Sequence, residues 1–267
     1  RVSVTSTVLP NVIGDVASVF NDANATATAT AGDGGLADAR APRSYGMYTS
    51  VSNYGALAAD ATAIDGVAGA RGIDSLGVLG STVYNAGDIV ANANAAGGEA
   101  AAFGTYSVGI SSGAGTTNHG TIAAHASGDA ADTYGVLNAS AYYGEAITIN
   151  TGSISAIAEG GVAAEGEEEA IAFGVYNFAL LYDSVVDNSG SIYAAAIATA
   201  DIRGTTGFLQ AKAVGAEALS VYGYGDAVIS NTGDIDAVAV TSQGYASAWG
   251  AAVQSTGAYG GMALGAN

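Results

Sequence analysis

The sequence predicts an all-β chain built as a parallel β-helix, a β-solenoid of about seven three-strand coils. Three observations carry that prediction. The pattern Asn-x-Gly-x-(Ile/Leu)-x-Ala occurs six times, with its asparagines at Asn53, Asn85, Asn118, Asn150, Asn188 and Asn231. Successive asparagines are 32, 33, 32, 38 and 43 residues apart, a spacing at which each unit buries its apolar face only against its neighbours. The chain also carries 40 Gly among its 267 residues. Their frequency, mixed with Val, Ile, Thr and Asn, opposes the helix that abundant alanine would otherwise favour.

One repeat reads as three segments. The first is a turn at the asparagine and its partner glycine (Gly55, Gly87, Gly120, Gly152, Gly190 or Gly233). It leads into an alternating strand. In Ile154-Ser155-Ala156-Ile157-Ala158 and Ile235-Asp236-Ala237-Val238-Ala239, one parity is Ile, Ala, Ala. A period of two means a strand with one face inward, here toward a thin core. The second segment is a bulky residue followed by Gly: Phe103-Gly104, Tyr134-Gly135, Phe173-Gly174, Val214-Gly215 and Trp249-Gly250, with Tyr45-Gly46 and Leu76-Gly77 read as the same signature. A glycine there suits a bend or a close backbone approach. The third is an apolar strand running into the next asparagine, as in Ala146-Ile147-Thr148-Ile149-Asn150 and Ser184-Val185-Val186-Asp187-Asn188. Polar turns such as Gly144-Glu145 and Tyr182-Asp183 precede it.

Strands recurring in one order imply that each pairs with its equivalent one coil away, at about 4.8 Å. The asparagines then form a column in which each amide both donates and accepts. Residues 1–43 are read as an irregular N-terminal coil or cap, and 44–267 as one continuous repeat array. Asn11-Val12-Ile13-Gly14 looks like a degenerate further copy of the asparagine corner. The run Thr26-Ala27-Thr28-Ala29-Thr30 resembles a threonine row of ice-binding solenoids, but it occurs once, so a short edge strand or cover is preferred.

Charge narrows the partners. Lys212 is the only lysine, five arginines join it, and 24 carboxylates bring the net charge to −18. Such a surface repels nucleic-acid phosphates and anionic membranes. No apolar run reaches the length of a membrane span. The chain has no cysteine, which fits a surface solenoid with a continuous core and a cytosolic protein alike. Its start at Arg1 and its Gly-rich end are read as those of a mature or trimmed piece of a longer precursor.

Chemistry-bearing residues are few. Glu165, Glu167, Glu168 and Glu169 form the densest charge cluster; they suit a weak cation or partner loop, the plainer reading being a solvated loop. No cofactor is expected beyond weak calcium collection. The Gly-Gly-x-Gly-x-Asp calcium pattern is hinted at only once, at Gly32-Asp33-Gly34-Gly35. His119 and His125 share a parity but bring no evident further metal ligand. A glycan-cleaving site needs paired carboxylates, for which Asp129 and Asp132 are the candidates among acids assigned mainly to turns (Asp60, Asp65, Asp74 and Asp88 being others). Tyr142, Tyr143, Tyr182, Tyr222 and Tyr224 fall near turns, where exposed rings suit protein contacts.

The Asn-x-Gly-x-Ile-x-Ala units, alternating with Phe/Tyr-Gly-Val-Tyr from about Tyr45 to Trp249, resemble the passenger regions of bacterial autotransporters and related secreted adhesins. The resemblance implies a right-handed β-helix displayed outside a Gram-negative cell, cut from a precursor with a C-terminal outer-membrane barrel. The expected function is accordingly non-enzymatic: an adhesin or a fibre or matrix component, self-associating head to tail or contacting host protein or glycan. The alternative is a polysaccharide-binding or polysaccharide-degrading β-helix protein.

Overall fold

The computed structural model describes residues 3–6, 11–161, 170–199, 209–222, 225–242, 244–256 and 262–266. Within them every ordered element is a strand, and the strands form one long, largely parallel sheet that fits a β-solenoid. No helix is long and apolar enough to cross a membrane among the described residues.

Three ladders run through the molecule. The first follows the asparagine corner. Asn24–Asp33 pairs with Ala56–Ile64, then the start of Asp88–Gly109, the start of Thr121–Ser140, Ser153–Gly160, Ser191–Ala198 and Asp234–Thr241. Its register aligns Leu57, Ile89, Ile122, Ile154, Ile192 and Ile235 in one column. As the alternation predicts, Ile154, Ala156 and Ala158 point inward and are buried.

The second ladder contains Leu36–Arg40, Val67–Asn85, the rear halves of Asp88–Gly109 and Thr121–Ser140, then Ala170–Ala179, Leu209–Val221 and Gly244–Thr256. Its strands bend at a glycine that the pairing skips: Tyr134 meets Phe173, and pairing resumes at Val136 and Val175. The bend locks onto the first ladder. A Cβ added at Gly135 would lie 2.5 Å from both the Gly174 carbonyl oxygen and Ile154 Cγ2, so only glycine admits the next coil. The Gly-bend motif and the Ile of the asparagine motif are thus two halves of one packing unit.

This register corrects the sequence reading in one respect. Gly46 and Gly77 are not in that column; they pair with each other and with Gly109, one corner further along. The equivalent of Phe103 in the preceding coil is Arg71, followed by Gly72.

The third ladder runs from Asn11–Asn21 through the end of Arg43–Asn53 and of Val67–Asn85, then Ala114–Asn118, Ala146–Asn150, Ser184–Asn188, Ala227–Asn231 and Ala263–Ala266. Here Ala146, Thr148 and Asn150 face inward, while Ile147 and Ile149 face outward. The inward polar groups satisfy one another. Thr148 Oγ1 donates to Asn177 Oδ1 at 2.8 Å and accepts from Asn138 Nδ2 at 2.9 Å. Thr116 Oγ1 donates to Asn138 Oδ1 at 2.8 Å.

Parallel pairing crosses position 43 without interruption, and Asn24–Asp33 is a rung of the first ladder. On its outer side Ser3–Ser6 pairs with it antiparallel. The outward Thr26, Thr28 and Thr30 stand beside Ala58, Asp60 and Thr62, so one threonine of the three meets another on the next coil.

Candidate functional site

The asparagine corners form a buried column. Each Nδ2 donates to the next coil's Oδ1: Asn53 to Asn85, Asn85 to Asn118 and Asn118 to Asn150 at 2.8 Å, Asn150 to Asn188 and Asn188 to Asn231 at 2.7 Å. Each amide also donates to the carbonyl two residues on, for example Asn118 to Gly120 at 3.1 Å. A Cβ at Gly120 would collide with the Gly87 carbonyl one coil back. The same collision awaits at Gly55, Gly87, Gly152, Gly190 and Gly233, each against the preceding coil's backbone. These residues are scaffold chemistry. The sequence reading missed one member and misplaced another. Asn21 heads the column, 2.7 Å from Asn53 Oδ1, whereas Asn11 pairs with Arg43. The signal was present: Asn21 precedes Asn53 by the same 32 residues, with Ala23 in the glycine position.

Outward aromatic residues make a rib on the second ladder. Phe103, Tyr134 and Phe173 stack nearly parallel at 5.1 and 5.2 Å. Arg71 covers one end, 5.4 Å from Phe103, and Lys212 the other, 5.2 Å from Phe173. The rings cover each other's faces and the cations close the stack, which leaves edges rather than platforms. Beside it, burial raises the Glu217 carboxyl above its ordinary range while Lys212 pulls it back; burial and then Glu217 raise the Tyr176 phenol.

The arginines converge. Asp74, expected near a turn, lies instead within Val67–Asn85 and is 1% exposed. Its Oδ2 is 3.0 Å from Arg40 Nη1 and 3.5 Å from both Arg43 Nε and Arg71 Nη1. Burying a carboxylate demands such compensation.

The other candidates scatter. His119 lies against Tyr84 at 5.5 Å with the rings tilted by 57°, and its Nδ1 is 2.6 Å from Thr151 Oγ1. His125 faces Glu159, 3.4 Å away. No group of three or more His, Cys, Asp or Glu is placed to hold a metal among the described residues. Burial, then Asp65, raises the Asp129 carboxyl; its electrostatic neighbour is therefore Asp65 rather than Asp132, which sits on a strand opposite Ala101 and Ile171. Glu165, Glu167, Glu168 and Glu169 lie outside the described residues, as does Tyr224.

One concave surface stands apart. At the corner entering the third ladder, a groove of about 680 Å³ runs across successive coils. Val16 and Tyr48, on neighbouring coils, stand toward one end, and Tyr143 and Tyr182 toward the other; Gly80, Ser112 and Gly115 line it between them. The tyrosines are 52%, 68% and 45% exposed, and Tyr143 and Tyr182 contact each other at 6.5 Å, tilted by 58°. Sequence reading placed Tyr143 and Tyr182 near turns but could not pair them with Tyr48, because only the register joins them.

Comparison with known proteins finds no matching family model, no matching curated protein and no matching solved structure.

Proposed function

We propose that this chain is a non-enzymatic extracellular protein, an adhesin or a fibre or matrix component, built as a right-handed β-helical rod of about seven coils and displayed outside a Gram-negative cell. The observation behind the reading is the in-register asparagine column from Asn21 to Asn231. The repeats spend their recurring residues on corners, bends and columns, and none on a recurring reactive constellation. A rod of this kind supplies reach and a repeated side face on which weak contacts add. Its acidic surface disfavours nucleic acid and calls for no cofactor beyond weakly held calcium.

Self-association head to tail is the filament form of the same proposal. Along residues 234–240, the last rung of the first ladder among the described residues, inward Ile235, Ala237 and Ala239 are only half-buried, an edge of the kind that templates further pairing. At the other end Ser3–Ser6 covers the first ladder, so docking there falls to Asn11–Asn21. Electron microscopy of native material tests the proposal: isolated rods support a displayed passenger, uniform fibres the filament form, and compact particles of neither shape contradict both.

The enzymatic alternative has one observation behind it, the raised Asp129 carboxyl near Asp65. Turnover of a glycan that Asp129→Ala abolishes would establish it in place of the rod reading.

A further inference from the structure

We propose that the groove between Tyr48 and Tyr143 binds a neutral, extended oligosaccharide lying along the rod axis. The proposal goes beyond the rod reading, since the groove is the same in single rods and in fibres.

The groove between exposed tyrosines carries it, and the open floor supports it. At the corners and bends glycine is required because a Cβ would strike a neighbouring coil's backbone, as at Gly135 or Gly120, whereas Gly69, Gly250 and Gly265, outside the groove, are open. Gly80 and Gly115, in the groove, are open as well. A Cβ at Gly115 would meet only the Ile147 carbonyl oxygen, at 3.7 Å, and one at Gly80 would find its nearest atoms at 3.8 Å. Neither has the left-handed backbone that favours glycine. Gly80 closes the register irregularity that begins at Gly77, but Gly115 lies in regular pairing, where glycine weakens a strand relative to any β-former and no neighbour calls for it. What their missing side chains leave open is the groove.

The walls and the charge select the ligand. Exposed Tyr48 and Tyr143 offer an apolar ring and a hydroxyl to the same partner, which suits the CH faces and hydroxyl edges of a pyranose. Ser50, Thr82 and Ser112 add hydroxyls to the lining. Among the described residues, Glu145 is the only charged residue lining the groove and no cation lines it, so a polyanionic glycan meets repulsion from a chain of net charge −18. Length follows from register. Tyr48 pairs with Gly80, and Ser81, Ala114 and Ala146 align on the next coils. Three coil spacings at about 4.8 Å separate the two tyrosine walls by about 14 Å, the length of about three sugar residues.

The test is calorimetric titration of the whole chain with neutral glucan, mannan and xylan oligomers of increasing length. A charged galacturonan oligomer and a proline-rich decapeptide serve as competing probes. The proposal expects one of the neutral oligomers to bind, with affinity rising up to about three or four residues and then levelling, and no galacturonan binding. Gly115→Val fills the floor and Tyr143→Ala removes a wall; each should weaken binding at least tenfold while the melting temperature stays the same or, for Gly115→Val, rises. Failure of every neutral oligomer to bind, binding that Gly115→Val leaves unchanged, or tighter binding of the peptide in the same groove would each overturn it.

Discussion

Ile154 on the first ladder points inward and is fully buried; five residues earlier, Ile149 on the third ladder points outward and is 40% exposed. The two strands belong to adjoining faces of the same stack, yet they place the same residue type on opposite sides. On the first ladder the inner column is aliphatic, Ile followed by Ala and Ala, and it packs against the glycine bends. On the third it is mixed: Thr116 and Thr148 sit in register with buried Val19, Val51, Val83, Val186 and Ile229, beside the asparagine corner, while Ile147 and Ile149 look outward. Period two allows one parity choice per strand. On the third ladder one parity serves both needs: it buries the corner asparagine, bonded to both neighbouring coils, and with it Val51, Val83, Val186 and Ile229 of the other coils.

The sharpest way to break this comparison is truncation of the two isoleucines. Ile154→Ala should cost about 3–4 kcal/mol by emptying a packed column, whereas Ile149→Ala should cost under about 1 kcal/mol, as surface changes do. Urea midpoints of the two variants check both. Equal losses would mean that Ile149 is also core.

Asn118→Ala comes next. It leaves Asn85 Nδ2 and Asn150 Oδ1 each short of a buried partner, at a cost of about 2–3 kcal/mol. The same urea series reads it, and a loss below that of Ile149→Ala would remove the column from the account. Thr148→Val keeps shape while depriving Asn138 and Asn177 of a partner; about 1–2 kcal/mol is expected, and a stabilised variant would show that the polar interior is dispensable.

The smallest effect is one of pH. The Glu217 carboxyl is raised by burial, so the folded chain holds its proton more tightly than the unfolded one. That contribution is present at low pH and is lost as pH rises from the ordinary carboxylate range through the raised value. Glu217→Gln should therefore be the more stable chain at neutral pH, and the gap to the parent should close on acidification. Melting curves across that window would show a constant gap if the carboxyl is not in fact disfavoured in its charged form.

Much of the fold was legible because its determinants are local. The Asn-x-Gly corner, the Ile-Ala-Ala alternation and the Gly bends each fit within a few residues, and their spacing places the ladders. What was not legible depends on which residue meets which across coils. Asn21 was missed because Ala23 replaces the glycine, and Asn11 was preferred because a glycine stands nearby. Gly46 and Gly77 match the bend signature, and only register assigns them to the next corner. The burial of Asp74 was invisible for the same reason, since Arg40, Arg43 and Arg71 come from three positions that only stacking unites. The groove is a product of register too: Tyr48 and Tyr143 are 95 residues apart in sequence but three coils apart in space.

The central claim is the opposed parity of the two ladders, and the absence of cysteine from the chain makes it directly measurable. Ile149→Cys and Ile154→Cys change the same residue type in the same way. Thiol labelling of the native variants should modify Cys at 149 at close to the unfolded rate and leave Cys at 154 protected until the chain is denatured. Protection at both positions, or faster labelling at 154 than at 149, would contradict the account.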